Sequence, residues 1–162
     1  ESRLGSGTAF TIYLPAITSK PDKKPATAAD LPRKGTGTLL LVDDEPYIIE
    51  ASTAILEDLG YRVIPASDGH QAIALFESTS STIDVVLLDM IMPDMSGRQV
   101  LTTLKKIDPG VKVILCSGYS LEGLEEDDLK TLSDGFIQKP YRIEQLASTI
   151  DAVLQASGGQ GG

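Results

Sequence analysis

The chain has 162 residues, 41% of them hydrophobic and 23% charged, with a net charge of −9 at pH 7. That length allows one domain with a full core plus further segments, while the lack of a long apolar run, or of a charged n-region leading into one, argues against a transmembrane helix and a secretory signal. Residues 35–162 carry 8 Lys and Arg against 20 Asp and Glu, and such an acidic body without a basic stripe argues against direct contact with nucleic acid.

Taken in chain order, residues 1–15 (ESRLGSGTAFTIYLP) turn at glycines and then alternate, with Phe10, Ile12 and Leu14 on one side. The alternation predicts one strand with one buried face and no partner nearby in sequence. Residues 16–34 scatter Pro21, Pro25 and Pro32 among small and charged residues. Such a stretch cannot bury enough surface to fold and is expected to be an extended linker.

From Gly35 the pattern changes. Apolar runs at 38–42 (TLLLV), 61–66 (YRVIPA), 85–88 (VVLL), 111–116 (VKVILC) and 135–137 (GFI) predict five strands. Helical stretches separate them. The first opens at Pro46 and sets Ile48, Ile49, Ser52, Ile55, Leu56 and Leu59 on one stripe before Gly60. The last covers about 142–155, with Ile143, Leu146, Ala147, Ile150, Val153 and Leu154 at spacings of three and four. Five strands alternating with five helices imply right-handed βαβ units and a doubly wound parallel α/β sheet over residues 35–156. The closing residues 157–162 (SGGQGG) are expected to be a flexible tail. The single Cys116 cannot form an internal disulfide and is expected to be an inert buried thiol, which points to a reducing, cytoplasmic compartment.

Chemistry collects just past the strand ends. Asp43, Asp44 and Glu45 follow the first strand and Asp89 the third; Ser117 with Gly118 follows the fourth, and Lys139 with Pro140 the fifth. In an open parallel sheet the carboxyl ends share one edge, where ligands bind. Each residue taken singly has a plain role: Asp43 and Asp44 as caps of the helix at Pro46, Ser117 in a turn, Lys139 in solvent. Together they describe a site. Carboxylates this close repel one another, by roughly 4 kcal/mol for a pair about 4 Å apart near a surface. A divalent cation relieves that repulsion, and oxygen donors with water suit Mg²⁺. Asp89 can then act as a carboxylate nucleophile toward phosphorus, with Mg²⁺ and Lys139 neutralising phosphoryl charge and Ser117 hydrogen-bonding the product.

The pieces LLVDDE, LLDMIMPDMSG, ILCSGY and FIQKP, in this order and spacing, make residues 36–156 resemble a response-regulator receiver domain of two-component signalling. The resemblance implies a flavodoxin-like (CheY-like) fold with strand order 2-1-3-4-5. It implies Asp89 as phosphoacceptor, and a metal site of Asp43, Asp44 (the direct ligand), Asp89 and the backbone carbonyl of Ile91. It further implies Ser117 and Phe136 as the switch pair, Lys139 as the phosphate-binding lysine, and a cis peptide bond before Pro140. The resemblance also places Ile91 and Tyr119 at the two positions that in this family tune water access, and their apolar and aromatic character predicts a long-lived phosphoryl state.

Residues 2–15 are similar to the end of the ATP-binding domain of histidine kinases, on Gly5, Gly7, Thr8, Phe10, Ile12, Leu14 and Pro15. With the chain starting at Glu1 rather than Met, this implies a cut through a hybrid sensor kinase whose receiver is carboxyl-terminal and whose parent can be membrane-anchored. The fragment lacks the rest of a kinase, and His70, the sole histidine, is expected to be solvated. The implied partners are a histidine kinase or a histidine phosphotransfer protein, with a homodimer conceivable through the fourth helix, fifth strand and fifth helix. The fourth helix carries Glu122, Glu125, Glu126, Asp127 and Asp128, an acidic face suited to a basic partner. Two other classes compete: an interaction module that is not phosphorylated, and an Asp-dependent phosphatase of the haloacid-dehalogenase type. The latter needs a second Asp two residues after the nucleophile, where this chain has Ile91.

Overall fold

The sheet is built from short apolar strands that bury both faces, and the alternation of their side chains sorts the core into two layers. The computed structural model describes residues 2–3, 7–8, 11, 13, 35–118 and 131–156, in two units, residues 1–31 and 32–162. In the first unit, β1 (Ser2–Arg3) pairs antiparallel with β2 (Gly7–Thr8). Thr11 and Tyr13 lie outside any strand, and Tyr13 is exposed. Of the expected strand, the described residues show only this short antiparallel pairing and no strand at Thr11 or Tyr13. Phe10, Ile12 and Leu14 lie outside the described residues, as do the linker at 16–34 and the tail.

The second unit holds β3 (Thr38–Val42), β4 (Arg62–Ala66), β5 (Val85–Asp89), β6 (Val113–Ser117) and β7 (Gly135–Gln138) in one sheet, order β4-β3-β5-β6-β7. All pairs are parallel. Counted within the domain, this is the expected order 2-1-3-4-5. Between the strands run α1 (Pro46–Asp58), α2 (Gly69–Thr79) and α3 (Gly97–Ile107), and the final helix spans Ile143–Gln155. The expected fourth helix falls mostly in residues 119–130, outside the described residues, with Thr131 and Leu132 helical at its end.

Leu40, Val42, Val86, Leu88, Val113 and Leu115 face one way and join Ala72 and Phe76 of α2 and Val100, Leu101 and Leu104 of α3. Leu39, Leu41, Val85, Leu87, Ile114 and Cys116 face the other and join Leu56 of α1 and Leu146, Ala147, Ile150 and Val153 of the final helix. Each large apolar side chain buried in this way stabilises the fold by about 1.5–3 kcal/mol. The strand β4 departs from a fully buried run: Arg62 and Pro65 are exposed. Its edge position explains both, since a proline's missing N–H is tolerated there. Tyr61 precedes the strand, is buried, and donates its hydroxyl to Asp151 Oδ1 at 2.8 Å. Ile143, expected on the buried stripe of the final helix, is 44% exposed, because the helix starts there at the open edge of the sheet.

Candidate functional site

Three alternating rows run out of the core and end in charge. Leu39 and Leu41 lead to Asp43, Val85 and Leu87 to Asp89, and Ile137 to Lys139, all on the sheet face covered by α1 and the final helix. Each polar group is therefore the next inward step of an apolar row, placed where the sheet stops and water begins. Asp43 is 2% and Asp89 7% exposed, and Asp44 is half-buried. Neither Asp43 nor Asp44 caps α1, whose N-cap is Glu45 and whose first turn holds Pro46. Instead Asp43 Oδ1 accepts from the Glu45 backbone N–H at 3.0 Å, which tightens the acidic loop.

Lys139 occupies the space between the two buried acids. Its Nζ donates to Asp43 Oδ2 at 2.6 Å and stands 3.2 Å from Asp89 Oδ1. The lysine thus does more than add a distant positive charge: it bridges both carboxylates directly. Burial works against the ammonium, but the Asp43 hydrogen bond and the Asp89 charge outweigh it and raise its pKa above the usual lysine range. For Asp89 burial is the largest influence; it raises the carboxyl above its ordinary 3.8, Lys139 opposes and Asp43 adds to the rise. Asp43, Asp44 and Asp89 offer oxygens all within 4.8 Å of one another. With Lys139 counted, the four groups carry −2, a charge that one divalent cation balances. This donor set fits Mg²⁺, with all-oxygen ligands and room for water.

Ser117, at the end of β6, is 1% exposed, and its backbone carbonyl accepts the Lys139 N–H at 2.7 Å. Phe136 is half-buried against the layer of α2 and α3. Leu115 pairs with Phe136 in register, so Phe136 and Ser117 point to the same face of the sheet. Ile91, two residues past Asp89, is 55% exposed, so its side chain stands in solvent. Tyr119 lies outside the described residues. The Lys139–Pro140 peptide bond is cis. Cys116, in register beside Asp89, has its thiol pushed up to about 12 by burial, which keeps it protonated and inert. His70 is exposed at the start of α2.

Gly97, the first residue of α3, lets that helix approach β5 closely. A Cβ there would overlap the Asp89 carbonyl oxygen and come within 2.8 Å of Met90 Cα. Gly97→Ala is expected to destabilise the domain by about 3 kcal/mol, the cost of forcing an atom into packed backbone. It should also shift the Asp89 backbone and with it the carboxylate that faces Lys139. A melting temperature within a degree of wild type would count against this account.

The response regulator receiver domain family matches residues 39–151. The sensor kinase CckA of Brucella abortus is 32% identical over 165 residues, a match covering 96% of this chain. The chain spans only 17% of that kinase's length. A receiver domain protein from Clostridium thermocellum superposes with a TM-score of 0.71 at 29% identity, over 75% of this chain and 97% of that one. The response regulator TrrA of Thermotoga maritima, solved in complex with Mg²⁺–BeF, gives a TM-score of 0.66 at 30% identity, covering 73% of this chain and 99% of that one. The chain belongs to the response regulator receiver family, and its role is phosphoryl acceptance in two-component signalling.

Proposed function

We propose that Asp89 takes the phosphoryl group, from the phosphohistidine of a histidine kinase or histidine phosphotransfer protein. The observation that carries this reading is the Lys139 ammonium held against Asp89 and Asp43 at the one sheet edge where all the polar rows end. An Asp89 oxygen attacks phosphorus, the P–N bond breaks with its electron pair leaving on the imidazole, and an acyl phosphate forms. Lys139 offsets charge on the phosphoryl oxygens, and the Ser117 hydroxyl hydrogen-bonds the product. Phe136, on the Ser117 side of the sheet, turns into the space that Ser117 vacates. Asp43, Asp44, Asp89 and the Ile91 carbonyl would hold Mg²⁺, Asp44 directly. When bound, the ion supplies Lewis-acid stabilisation of the same oxygens.

The partner's approach has support in exposure. Tyr47 is 85%, Ile91 55% and Ile143 44% exposed, and each follows a member of the site by two to four residues. Large exposed apolar groups this close in sequence to the site residues suit an apolar helix face that carries the histidine. We further propose that residues 1–15 are the end of a kinase ATP-binding domain, 16–34 a linker, 35–156 the receiver and 157–162 a tail. The likeness to a sensor kinase over 96% of this chain, well beyond residues 39–151, supports that division. Among the described residues no helix is long and apolar enough to cross a membrane, and a cytoplasmic setting follows from the proposed donors.

The test is intact mass after incubation with acetyl phosphate. A gain of one phosphoryl group, about 80 Da, is expected with Mg²⁺ and not with EDTA. It should disappear on treatment with hydroxylamine, which cleaves acyl phosphates. No gain in folded protein would overturn the reading in favour of an unphosphorylated interaction module.

A further inference from the structure

The site occupies the carboxyl edge of the sheet. A separate set of contacts closes the opposite edge, where the chain enters the domain. Gly35, just ahead of β3, is half-buried, and its N–H donates to the Leu59 carbonyl at 2.8 Å. There is no room for a side chain here: a Cβ on Gly35 would overlap Cζ, Cε1 and the hydroxyl oxygen of Tyr61. The entering chain therefore lies directly on the phenol end of that ring. Tyr61 is 4% exposed and packs in the layer of Leu56, Leu59, Ile150 and Val153. Its N–H donates to the Leu56 carbonyl at 3.0 Å, and the next N–H, of Arg62, to the Gly37 carbonyl at 2.8 Å. Its hydroxyl donates to Asp151 Oδ1 at 2.8 Å.

Tyr61 thereby joins the entering chain, the end of α1 and the later half of the final helix. Gly35 meets the same end of the ring that carries the hydroxyl, so the two contacts do not move independently. Any atom that pushes in at position 35 displaces the phenol from Asp151, and any shift of Asp151 draws the phenol across Gly35. A buried phenol that loses its acceptor is left as an unsatisfied donor, which favours the closed arrangement. The final helix begins at Ile143, just past the lysine turn, and returns to this edge as one unbroken run of 13 residues. The chain ahead of the domain is thus connected through a single ring to the helix that follows Lys139.

We propose that Tyr61 is a clasp that fastens the entering chain to the final helix, so that a displacement of either is felt by the other. The clasp lies away from the reacting groups and stands whether or not Asp89 accepts a phosphoryl group. Backbone amide hydrogen exchange, followed by NMR on the full chain, reads the local opening of each partner. The chains compared are wild type, Tyr61→Phe, Asp151→Ala, Asp151→Asn, the Tyr61→Phe/Asp151→Ala double variant and Gly35→Ala, with the fold of each checked by circular dichroism. Phenylalanine keeps the ring and removes only the bond to Asp151. Its loss should speed exchange at Gly35 about fivefold, the factor one such hydrogen bond is worth, and Asp151→Ala should do the same. The double variant should be no faster than either single one, because both remove the same bond. Asp151→Asn keeps an acceptor oxygen and should stay close to wild type. In the other direction, Gly35→Ala should speed exchange at residues 152–155, since coupling between two places is reciprocal. If Gly35→Ala does not fold, the response of Gly35 to Asp151→Ala carries the test alone. The Asp108 amide, bonded to the Leu104 carbonyl at the end of α3, is the reference and should not change. Wild-type exchange at Gly35 in Tyr61→Phe and Asp151→Ala, wild-type exchange at residues 152–155 in folded Gly35→Ala, or single effects that multiply in the double variant would each overturn the clasp. So would an equal rise at Asp108, which would mean a general loss of stability.

Discussion

Asp89→Asn is expected to gain no phosphoryl mass from acetyl phosphate and Mg²⁺, while its fold persists and its stability loses part of its dependence on pH. The first half follows from chemistry. A carboxamide oxygen is a poor nucleophile toward phosphorus and cannot give an acyl phosphate, so one group per chain falls to none. The amide is nearly isosteric, and Lys139 keeps Asp43 as a partner at 2.6 Å, so the pocket need not collapse.

The second half follows from linkage. Burial holds the Asp89 pKa above 3.8, its ordinary value. Over the window from 3.8 up to the folded value, the folded state binds more protons than the unfolded one. Stability therefore falls as pH rises through that window, and above it the ionised Asp89 costs the fold its full desolvation. Asparagine has no charge to desolvate. The variant should be at least as stable as wild type at neutral pH, by up to a few degrees in melting temperature, with a flatter profile in the acid range. Melting curves at several pH values, beside the mass measurement, check both halves. Phosphoryl uptake by the variant would move the acceptor elsewhere; uptake lost together with the fold would make the result uninformative about chemistry and would contradict the predicted stability.

Much of this site was legible because the polar residues are continuations of apolar rows. Leu39, Leu41, Asp43 and Val85, Leu87, Asp89 keep a period of two right up to the point where hydrocarbon gives way to carboxylate. A reader of the sequence can count that period and place the acids at one sheet edge. The Lys139 bridge was not legible in the same way. Spacing along the chain says that the lysine arrives at the edge, but not that it settles 2.6 Å from Asp43 and 3.2 Å from Asp89. The close approach at Gly97 was not legible either. What Gly97 does depends on the backbone of a distant segment, Asp89, which no local pattern reveals. The exposed Ile143 and the edge proline Pro65 show the reverse case, in which tertiary position overrides a local apolar pattern.

Lys139→Met should lower stability by about 3 kcal/mol, the usual order for stripping the counter-charge from buried acids, and slow phosphoryl uptake by about a hundredfold or more, as when one transition-state donor is lost. Methionine is the informative replacement because it keeps most of the stem that lines the cavity beside Ile48 and Tyr141 and removes only the charge. Asp43 and Asp89, 2% and 7% exposed, are then left facing one another with no cation between them. Two conditions should restore stability. Acid does so by protonating a carboxyl, so the gap between variant and wild type narrows as pH falls. Mg²⁺ does so by replacing the missing positive charge, so the variant's melting temperature should respond to Mg²⁺ more steeply than that of wild type. The lysine's own titration does not interfere, because its folded pKa is raised above 10.5. Its contribution is in full force below that pH and is lost only as the pH climbs through the folded value. Melting curves with and without Mg²⁺ at neutral and acid pH, together with initial rates of mass gain, decide the matter. A variant as stable and as fast as wild type would mean that the bridge seen between the two acids carries neither the fold nor the chemistry.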